Sequence, residues 1–533
     1  MAGVAQTPRR ALVLIGFMGA GKSTVAAELA KALGVTALDS DRLLEERFGH
    51  PVAREFELSG EEAFRATEEQ LVCELLQNAG AGSVIALGGG SVLSERVRKA
   101  LEPHLTVLLD VEAEQAWERV GGASGGASAS AAERPLARDR EAFMALHAER
   151  RPLYDQLADA HLPMIDRGTA SRALDALRAL SSAPAGTRLL WARSASGDYP
   201  VLIGRGLLRA GGAEDLARLW PLDRASSRPF CVVDETVTAL YVERLGEIAA
   251  LASIPPGEQH KTLASAEHVW DRMVAAGMTR ADHVVALGGG VVGDLAGFCA
   301  ATYQRGVPVV HVPTTLVAQL DSAYGGKTGV DQPEAKNYVG VYHQPAGVLV
   351  DPDTLATLPA TELAAGWVEV LKTALIAGGE QWERVATGGE VTEQAILACA
   401  RTKLAIVAAD ERDAGRRQVL NLGHTVGHAI ETATGYAQYR HGEAVGLGLL
   451  AALRLSGLDG LRAQVRELLL ARGLPATLGE ASVDVEQIVA AIARDKKRVG
   501  AHVPFVLVRA PGDVVTGREV PDADLRSAVA ELI

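Results

Sequence analysis

A glycine-rich run near the start of the chain combines a lysine and a serine at a spacing that binds phosphates. Residues 16–23 read GFMGAGKS, which matches GxxxxGK[ST], and they stand between an apolar run, ALVLI, and a helix-like run, STVAAELAKAL. Glycines let backbone N–H groups surround a polyphosphate, a lysine reaches the transferring phosphate, and a serine hydroxyl can bind Mg2+. The pattern therefore predicts an ATP–Mg2+ site formed by Gly16, Gly19, Ala20, Gly21, Lys22, Ser23 and Thr24.

A second group of residues suggests metal chemistry. His424 and His428 lie four residues apart in GHTVGH, so a helix would place both imidazoles on one face. A third imidazole, His441, stands in RHGEAVG, and Glu369 stands in GWVEVLK. Spacing alone nominates both His424 and His428 as metal ligands.

The residues around the phosphate-binding run point to the acceptor of the phosphoryl group. DSD at 39–41, GEEAFRATE, ALGGGSV, ERPL and ERRPLY occur in this order, and over residues 10–180 the chain resembles shikimate kinase. The resemblance implies that Asp39 supports magnesium, that Asp41 binds the acceptor hydroxyls, and that Arg65 and Arg150 hold the shikimate carboxylate. It also implies that backbone amides approach the ring at Gly88, Gly89 and Gly90. The phosphate-binding run alone would also suit another small-metabolite kinase, such as a gluconate kinase.

One low-complexity segment, GGASGGASASAA at 121–132, interrupts the kinase-like part. Its composition is typical of a flexible insertion. It can also be interpreted as a lid, because it lies between two cations that could close over a nucleotide, Arg119 and Arg134. The resemblance assigns Arg134 as the lid arginine.

The second part of the chain carries a longer resemblance. Gly288-x-Gly290-x-x-Gly293 is a weak dinucleotide fingerprint by itself, but it opens GGGVVGDLAGFCAATYQRG, which continues into VPTTLVAQLDSAYGGKTGVD and AKNYVGVYHQP. This block resembles 3-dehydroquinate synthase, and the similarity extends from Asp198 to the DKK at 495–497. The resemblance implies an NAD+ site made of Asp234, Glu258, Lys261, Gly290, Val291, Val292, Gly293, Asp294, Thr314, Thr315, Lys327, Lys336, Thr354, Leu355, Ala356 and Thr357.

The same resemblance separates the histidines. It implies that Glu369, His424 and His441 bind Zn2+ or Co2+, whereas His428 faces the substrate. Anion recognition would fall to Lys327, Lys372, Lys403, Arg417, Asn421 and one of Lys496 and Lys497. Arg305 matches an arginine that reaches a neighbouring subunit, which implies a homodimer. Val368 and Asp331 stand where the family commonly has alanine and asparagine.

Two activities follow from these resemblances: ATP-dependent phosphorylation of shikimate, and NAD- and metal-dependent conversion of 3-deoxy-D-arabino-heptulosonate 7-phosphate to 3-dehydroquinate with phosphate release. A metal- and NAD-dependent polyol dehydrogenase, another sugar-phosphate cyclase and a catalytically inactive binding module are the alternatives. Lys403, Arg417 and Asn421 favour a substrate that bears a carboxylate. The intact Lys22, Asp41, Glu369, His424 and His441 argue against an inactive module.

Composition and patterning set the frame for these sites. The 533 residues carry a formal charge of −13, which disfavours nucleic-acid and membrane-surface binding, and four scattered cysteines without a CxxC pair suggest a reducing cytoplasm. Strand-like and helix-like runs alternate up to about residue 353, and the rest is helical in pattern. We expect an α/β fold: a P-loop kinase domain with a parallel sheet (1–180), a linker (181–187), a Rossmann-like NAD-binding domain (188–357) and an all-helical metal- and substrate-binding domain (358–533).

Overall fold

Parallel strands covered by helices form the frame of the computed structural model, which describes residues 10–121, 139–164, 166, 168–332, 335–436, 438–479, 483–493 and 503–533. The contacts divide the chain into an N-terminal unit, Met1–Trp191 with Pro200–Leu202, and a C-terminal unit, Ala192–Tyr199 with Ile203–Ile533. Among the helices of the described ranges, none has the length and apolar composition that crossing a bilayer requires.

The N-terminal unit is built on short strands with apolar side chains. Its strands are β1 (Leu12–Ile15), β2 (Ala37–Asp39), β3 (Val84–Ala86), β4 (Leu105–Asp110), β5 (Ala160–Pro163) and β6 (Arg188–Ala192). They lie in the order β2–β3–β1–β4–β5–β6, and each neighbouring pair is parallel. The four residues of β1 are at most 1% exposed, as expected for a strand covered on both faces.

The helices of this unit begin and end at residues suited to those positions. They are α1 (Lys22–Leu33), α2 (Ser40–Phe48), α3 (Val52–Gln77), α4 (Glu95–Leu101), α5 (Ala113–Gly121), α6 (Arg140–Leu157), α7 (Thr169–Arg172) and α8 (Leu174–Leu180). α1 ends at Gly34, whose φ of 70° favours glycine. The Asp39 carboxylate accepts hydrogen bonds from the N–H groups of Asp41 and Arg42 and so caps α2.

The first part of the C-terminal unit is a second parallel α/β layer. The strand β7 (Tyr199–Ile203) comes first in the chain, and its central residues Pro200–Leu202 group with the N-terminal unit. The strands of the C-terminal layer are β8 (Pro229–Asp234), β9 (Ala250–Ile254), β10 (His283–Gly288), β11 (Val309–Pro313), β12 (Lys327–Gln332), β13 (Ala335–Tyr342) and β14 (Gly347–Val350), and its helices are α9 (Ala213–Leu219), α10 (Glu235–Tyr241), α11 (Leu263–Ala275) and α12 (Gly290–Thr302). The parallel order is β14–β11–β10–β8–β9. β12 and β13 form a separate antiparallel hairpin.

The rest of the C-terminal unit is helical, as predicted. It contains α13 (Ala360–Ala377), α14 (Gly379–Ala386), α15 (Glu393–Ala409), α16 (His424–Ala433), α17 (His441–Leu455), α18 (Asp459–Leu470), α19 (Val485–Ile492) and α20 (Asp522–Ala530). The structure adds an unpredicted antiparallel hairpin, β15 (Phe505–Ala510) and β16 (Asp513–Arg518). The predicted linker at 181–187 and the predicted boundary after residue 357 stay predictions.

Glycines let the helices of this region approach closely. A methyl group at Gly442 would overlap the carbonyl oxygen of Ala365 on α13, and one at Gly448 would overlap the carbonyl oxygen of Gly423 at the start of α16. α17 therefore lies against both α13 and α16 with almost no space between the backbones. This packing brings together the residues that the sequence nominates for metal binding.

A buried histidine at the start of β10, His283, gives the first prediction. The Trp220 indole N–H donates to His283 Nε2 (2.9 Å), so this nitrogen carries no proton, and Ser227 Oγ lies 2.8 Å from Nδ1. Burial, with a contribution from Arg224, lowers the pKa of His283 to about 4. An exposed imidazole in the unfolded chain takes up its proton near pH 6.5. The unfolded state therefore binds the extra proton between these values, and stability falls as the pH is lowered.

We expect this group alone to reduce the free energy of unfolding by on the order of 2 to 3 kcal/mol between about pH 7 and about pH 4.5. Urea unfolding followed by tryptophan fluorescence at several pH values measures the effect. His283→Gln can still accept from Trp220 and should show a shallower dependence on pH. Equal slopes for the two proteins would contradict the assignment.

Candidate active sites

The predicted phosphate-binding residues form a tight turn between β1 and α1. Gly16, Gly19 and Gly21 all have positive φ, and a side chain at Gly16 would meet the Leu109 carbonyl oxygen at 2.7 Å. The Lys22 ammonium turns back into the loop and donates to the carbonyl oxygens of Gly16 (2.8 Å) and Phe17 (3.2 Å). Backbone N–H groups at the start of α1, with this ammonium, form a site suited to a polyphosphate.

The glycine run at 88–90 brings the predicted acceptor residues to the same place. A methyl group at Gly89 would lie 3.9 Å from Lys22 Nζ, and one at Gly88 would lie 2.5 Å from an oxygen of Asp41. A methyl group at Gly90 would overlap the guanidinium of Arg65. The lysine, the aspartate and the arginine that the sequence nominates therefore border one glycine run.

Buried partners hold the two predicted carboxylate-binding arginines. Arg65 donates to Glu68 (2.7 Å), whose other oxygen accepts from Ser91 (2.8 Å). Tyr154 donates to the carbonyl oxygen of Gly89 (2.6 Å), and burial raises its pKa to about 12 against a lowering contribution from a hydrogen bond with Arg150. Arg150 therefore lies beside the same glycine run. Sequence analysis gave no role to Tyr154, although it stands in the quoted ERRPLY.

The structure describes one of the two arginines that are predicted to contact the nucleotide. Arg119 donates to the carbonyl oxygens of Gly19 (3.3 Å) and Met164 (2.7 Å), so it lies against the phosphate-binding turn. Arg134 and nearly all of the Gly/Ala/Ser segment lie outside the described residues. Their predicted lid role stays a prediction.

The C-terminal unit brings one carboxylate and three imidazoles together. Glu369 Oε1 on α13 is 3.7 Å from His424 Nε2 on α16 and 3.8 Å from His441 Nε2 on α17. One ring nitrogen from each of His424, His428 and His441 lies within 4.8 Å of the others. Glu369 is 1% exposed, and its Oε1 accepts no hydrogen bond from the described residues. A buried anionic oxygen that faces imidazole nitrogens across such gaps fits a divalent cation.

Neighbouring acceptors orient two of these imidazoles. His424 Nδ1 lies 3.1 Å from the carbonyl oxygen of Leu422, which can only accept, so Nδ1 carries the proton and Nε2 presents its lone pair. His441 Nδ1 lies 3.3 Å from Glu431 Oε1 on α16. Burial alone would raise the pKa of Glu431, but His441 and Lys336 lower it to about 2, so the carboxylate is ionised. Carboxylates and carbonyls commonly fix metal-binding imidazoles in this way.

His428 belongs to the same cluster by position. Its ring centroid is 5.2 Å from that of His424 and 5.7 Å from that of His441. The geometry therefore accommodates His428 as a metal ligand, as spacing suggests, and also as a residue that faces the substrate, as the resemblance implies. The choice of Glu369, His424 and His441 as the ligands stays a prediction. Val368, the residue before Glu369, packs 3.6 Å from the position of a methyl group at Gly446 and so lies between α13 and α17.

Buried lysines lie next to this cluster. Lys372 forms ion pairs with Glu369 on its own helix and with Asp321 (3.0 Å). Lys403 on α15 forms an ion pair with Asp321 and donates to its carbonyl oxygen (2.7 Å). Burial would raise the pKa of Asp321, but the two ammonium groups hold it well below its usual range. Burial lowers the pKa of Lys403 to about 8, although Asp321 opposes this shift.

Asp321 was missed by sequence analysis, although it stands within the quoted VPTTLVAQLDSAYGG. The signal was available in principle, because two buried lysines require an anion. The segment 318–322 that carries it forms a single wide helical turn after β11.

The predicted anion-binding residues of the loop before α16 are also held inward. Arg417 is 1% exposed and donates to the carbonyl oxygens of Glu411 and Gly325. The Glu411 carboxylate accepts from Ser196 N–H (3.1 Å) and Gln344 (3.0 Å), which anchors the loop to the α/β part. Lys327 pairs with Asp413 at 2.5 Å, and Asn421 is half-buried at the end of the loop. Lys496 and Lys497 lie outside the described residues.

The predicted NAD-binding residues gather at the carboxyl ends of the parallel strands. Lys261 is 2% exposed and contacts Glu258 (2.8 Å), Asn337 (2.9 Å) and Asp294 (3.2 Å). Lys336 bonds to the same Glu258 oxygen at 3.1 Å. Gly290 to Asp294 form the first turn of α12, directly after β10, so their N–H groups face this strand edge.

The remaining predicted cofactor residues occupy the ends of β8, β11 and β14. Asp234 accepts from Val237 N–H and caps α10, and burial raises its pKa. Thr314 and Thr315 follow β11, and the Thr314 hydroxyl is buried without a hydrogen-bond partner in the described part of the chain. The 3-10 turn Pro352–Thr357 includes Thr354, Leu355, Ala356 and Thr357; here Thr354 accepts from Gln319 (2.8 Å) and Thr357 pairs with Tyr241 (2.7 Å).

Arg305 differs from the predicted site residues described above in its exposure to solvent. It is exposed and has a φ of 68°, next to Gln304 with a φ of 47°. Such left-handed conformations are uncommon for residues with side chains. The turn projects the arginine from the end of α12.

Comparison with known proteins finds matches to both parts of the chain. Family models described as 3-dehydroquinate synthase N-terminal and C-terminal match residues 251–365 and 366–498, and a model described as shikimate kinase matches 18–180. The 3-dehydroquinate synthases of Caulobacter vibrioides and Halorhodospira halophila are 42% and 43% identical to this chain. The alignments cover 62% and 63% of this chain, and 95% and 97% of those proteins.

A solved structure gives the same picture of the second part. ValA (2-epi-5-epi-valiolone synthase) from Streptomyces hygroscopicus subsp. jinggangensis 5008, with NAD+ and Zn2+ bound, is 28% identical with a TM-score of 0.56, and the match covers 63% of this chain and 96% of that chain. The kinase match (18–180) and the synthase matches (251–498) do not overlap in the chain. The chain thus belongs to the 3-dehydroquinate synthase family and carries a shikimate kinase domain at its N-terminal side, which makes it a bifunctional enzyme of the shikimate pathway.

Proposed function

We propose that the N-terminal unit transfers a phosphoryl group from ATP to shikimate, and that the C-terminal unit converts 3-deoxy-D-arabino-heptulosonate 7-phosphate to 3-dehydroquinate with release of phosphate. The observation that carries the second proposal is the group of buried Glu369 with half-buried His424 and His441, beside the lysines that surround Asp321. A cation site next to buried ammonium groups suits a substrate that bears hydroxyls, a carboxylate and a phosphate.

Glu369, His424 and His441 would hold the divalent cation, Zn2+ or Co2+. When bound, such a cation acidifies a coordinated hydroxyl and polarises a carbonyl. His428 faces the substrate from the next turn of α16 and is the group we expect to exchange a proton with it. The carboxylate and the phosphate of the substrate would be held by Lys372, Lys403, Arg417 and Asn421. Lys327 and one of Lys496 and Lys497 would contact the substrate from the edge of the same site.

The carboxyl ends of the parallel strands β8 to β11 and β14, where the predicted cofactor residues gather, would hold NAD+. When bound, NAD+ accepts a hydride from the substrate and returns it within the same turnover. The first turn of α12 binds the pyrophosphate through its N–H groups, and Asp234 and Glu258 accept hydrogen bonds from ribose hydroxyls. The unpartnered Thr314 hydroxyl supports this assignment, because a buried polar group needs a partner.

The kinase roles follow from the residues around the glycine run at 88–90. Lys22 and the loop N–H groups stabilise the transferring phosphoryl group, while Ser23 binds Mg2+ and Asp39 supports it. Asp41 orients the acceptor hydroxyl and takes its proton. Arg65 and Arg150 hold the carboxylate, and Arg119 contacts the nucleotide. Positioning and charge stabilisation supply most of the catalysis in phosphoryl transfer.

The synthase part offers a surface for a second copy of the chain. β13 pairs with β12, and within the described ranges its exposed residues include Tyr338 (55% exposed), Val339, Val341 and Tyr342. The end of β13 adjoins the segment that carries Arg305, because His343 bonds to the Val307 carbonyl oxygen at 2.9 Å. An exposed apolar edge strand beside a projecting arginine supports a homodimer in which Arg305 reaches the partner's substrate.

The synthase proposal predicts phosphate release that requires a metal ion. Purified protein supplied with NAD+ and the heptulosonate phosphate should release phosphate, stop on addition of a chelator and recover with Zn2+ or Co2+. Glu369→Gln should lower the rate by about 10²-fold or more, because it removes an anionic ligand. Lasting accumulation of NADH without phosphate release would instead indicate a polyol dehydrogenase.

The kinase proposal predicts an independent site. Lys22→Ala should reduce shikimate-dependent ATP consumption by about 10²-fold or more, because it removes a charge from the transition state. A coupled assay for ADP measures this rate, and phosphate release from the heptulosonate phosphate serves as the internal control. Loss of both activities in this variant would contradict two separate sites.

The dimer proposal predicts complementation between inactive subunits. Arg305→Ala and Lys403→Ala should each abolish the synthase activity, while a mixture exchanged at equal amounts should regain about a quarter of it, since half of the dimers carry one intact site of two. Sedimentation velocity of each variant verifies the dimer. A monomer, or a mixture without recovery, would contradict the shared site.

A further inference from the structure

Lys336 lies between the two halves of the synthase site. Its ammonium is 3.1 Å from Glu258 Oε1, beside the predicted cofactor residues, and 3.2 Å from Glu431 Oε1 on α16. Lys336 belongs to β13 in the α/β part, whereas Glu431 belongs to the helical part. The Tyr436 ring, 5.8 Å away, covers the ammonium from the helical side. One cation therefore pairs with two carboxylates from different parts of the unit, and it shares Glu258 with Lys261.

The contacts continue from Lys336 to the metal cluster. Glu431 Oε1, the oxygen that Lys336 contacts, also lies 3.3 Å from His441 Nδ1. Hydrogen bonds and ion pairs thus connect Glu258, Lys336, Glu431 and His441 without a gap. The same Lys336 ammonium contacts both carboxylates, so a change at one carboxylate alters the charge available to the other.

We propose, on the basis of the function proposed above, that Lys336 is a positioning residue that couples the two ligands of the synthase: a cation at the metal site strengthens NAD+ binding, and NAD+ strengthens cation binding. The coupling acts through Glu431 on one side and Glu258 on the other.

The direction of the coupling follows from the shared ammonium. A cation bound at His441 Nε2 withdraws charge from the ring and makes Nδ1–H a stronger donor, so it attracts the Glu431 carboxylate more strongly. Lys336 then shares less of its charge with Glu431 and more with Glu258. The Glu258 carboxylate is held more firmly in the position from which it accepts hydrogen bonds from the ribose hydroxyls. NAD+ therefore binds to a better ordered site. Thermodynamic reciprocity requires the same factor in the opposite order of addition.

Co2+ titration tests the coupling without relying on turnover. The visible absorption of protein-bound Co2+ reports its Kd with and without saturating NAD+, and we expect Co2+ to bind about fivefold tighter with NAD+. Lys336→Met removes a charge from the proposed NAD+ site, so it is compared at NAD+ concentrations that saturate the variant. Its Kd for Co2+ should then be the same with and without NAD+. Glu431→Gln keeps the shape of the side chain but removes the charge, and should lose the coupling as well. Arg228→Met is the control, because Arg228 belongs to neither proposed site and pairs with Asp282 instead, and it should retain the coupling.

The outcomes separate this inference from the function on which it rests. Wild-type protein that binds both ligands independently, or a Lys336→Met variant that keeps the fivefold effect, would overturn the coupling alone. Wild-type protein that binds neither Co2+ nor NAD+ would overturn the proposed synthase function. Circular dichroism of each variant establishes that the comparison is made between folded proteins.

Discussion

The need to neutralise buried charges organises the synthase site. Glu369, Lys372 and Arg417 are each 1% exposed, and a charge at such a position is tolerated only with a close partner. Asp321 serves Lys372 and Lys403 together, so a turn after β11, helix α13 and helix α15 must meet at one point. Helix α13, which carries Glu369, is fixed to the α/β part by one of these ion pairs. Fold and site are therefore determined by one set of contacts.

The kinase site relies on backbone geometry more than on paired charges. The turn at 16–21 and the run at 88–90 consist largely of glycines, and several of them occupy places where a side chain would overlap a carbonyl oxygen, a carboxylate or a guanidinium. Removing side chains allows the loop N–H groups, Asp41 and Arg65 to surround one small space. Glu68 and Tyr154 then limit the freedom of the two arginines, which reduces the ordering that a bound substrate must impose.

Sequence patterns predicted the parallel sheets and the helical region, because these signals are local. The site residues were nominated by short motifs and by family resemblance, and their roles stay predictions. Apolar runs between turn residues mark β1 and β10, and GKS or GHTVGH occupies a single element. Asp321 and Glu431 were not predicted as site residues. Each is a lone acidic residue in the sequence. Lys372 lies 51 residues from Asp321, and Lys336 lies 95 residues from Glu431. Such a residue looks like a solvated charge until the fold brings its cation to it. The β15–β16 hairpin was missed because it is short and follows a long helical stretch.

The overall charge of −13 does not exclude substrates that are themselves anions, because nearby buried groups determine the local field. Lys372 and Lys403 converge from two helices on Asp321, and Arg417 is buried in the loop before α16. Low-dielectric surroundings strengthen the field of these cations. Charges on the surface are screened within about 10 Å at ordinary ionic strength, whereas buried ones are screened far less. An anion close to this group therefore responds to a few nearby cations and not to the net charge of the molecule. Asp321 keeps the two ammonium groups ordered, and the carboxylate or phosphate of the proposed substrate would add further negative charge beside them.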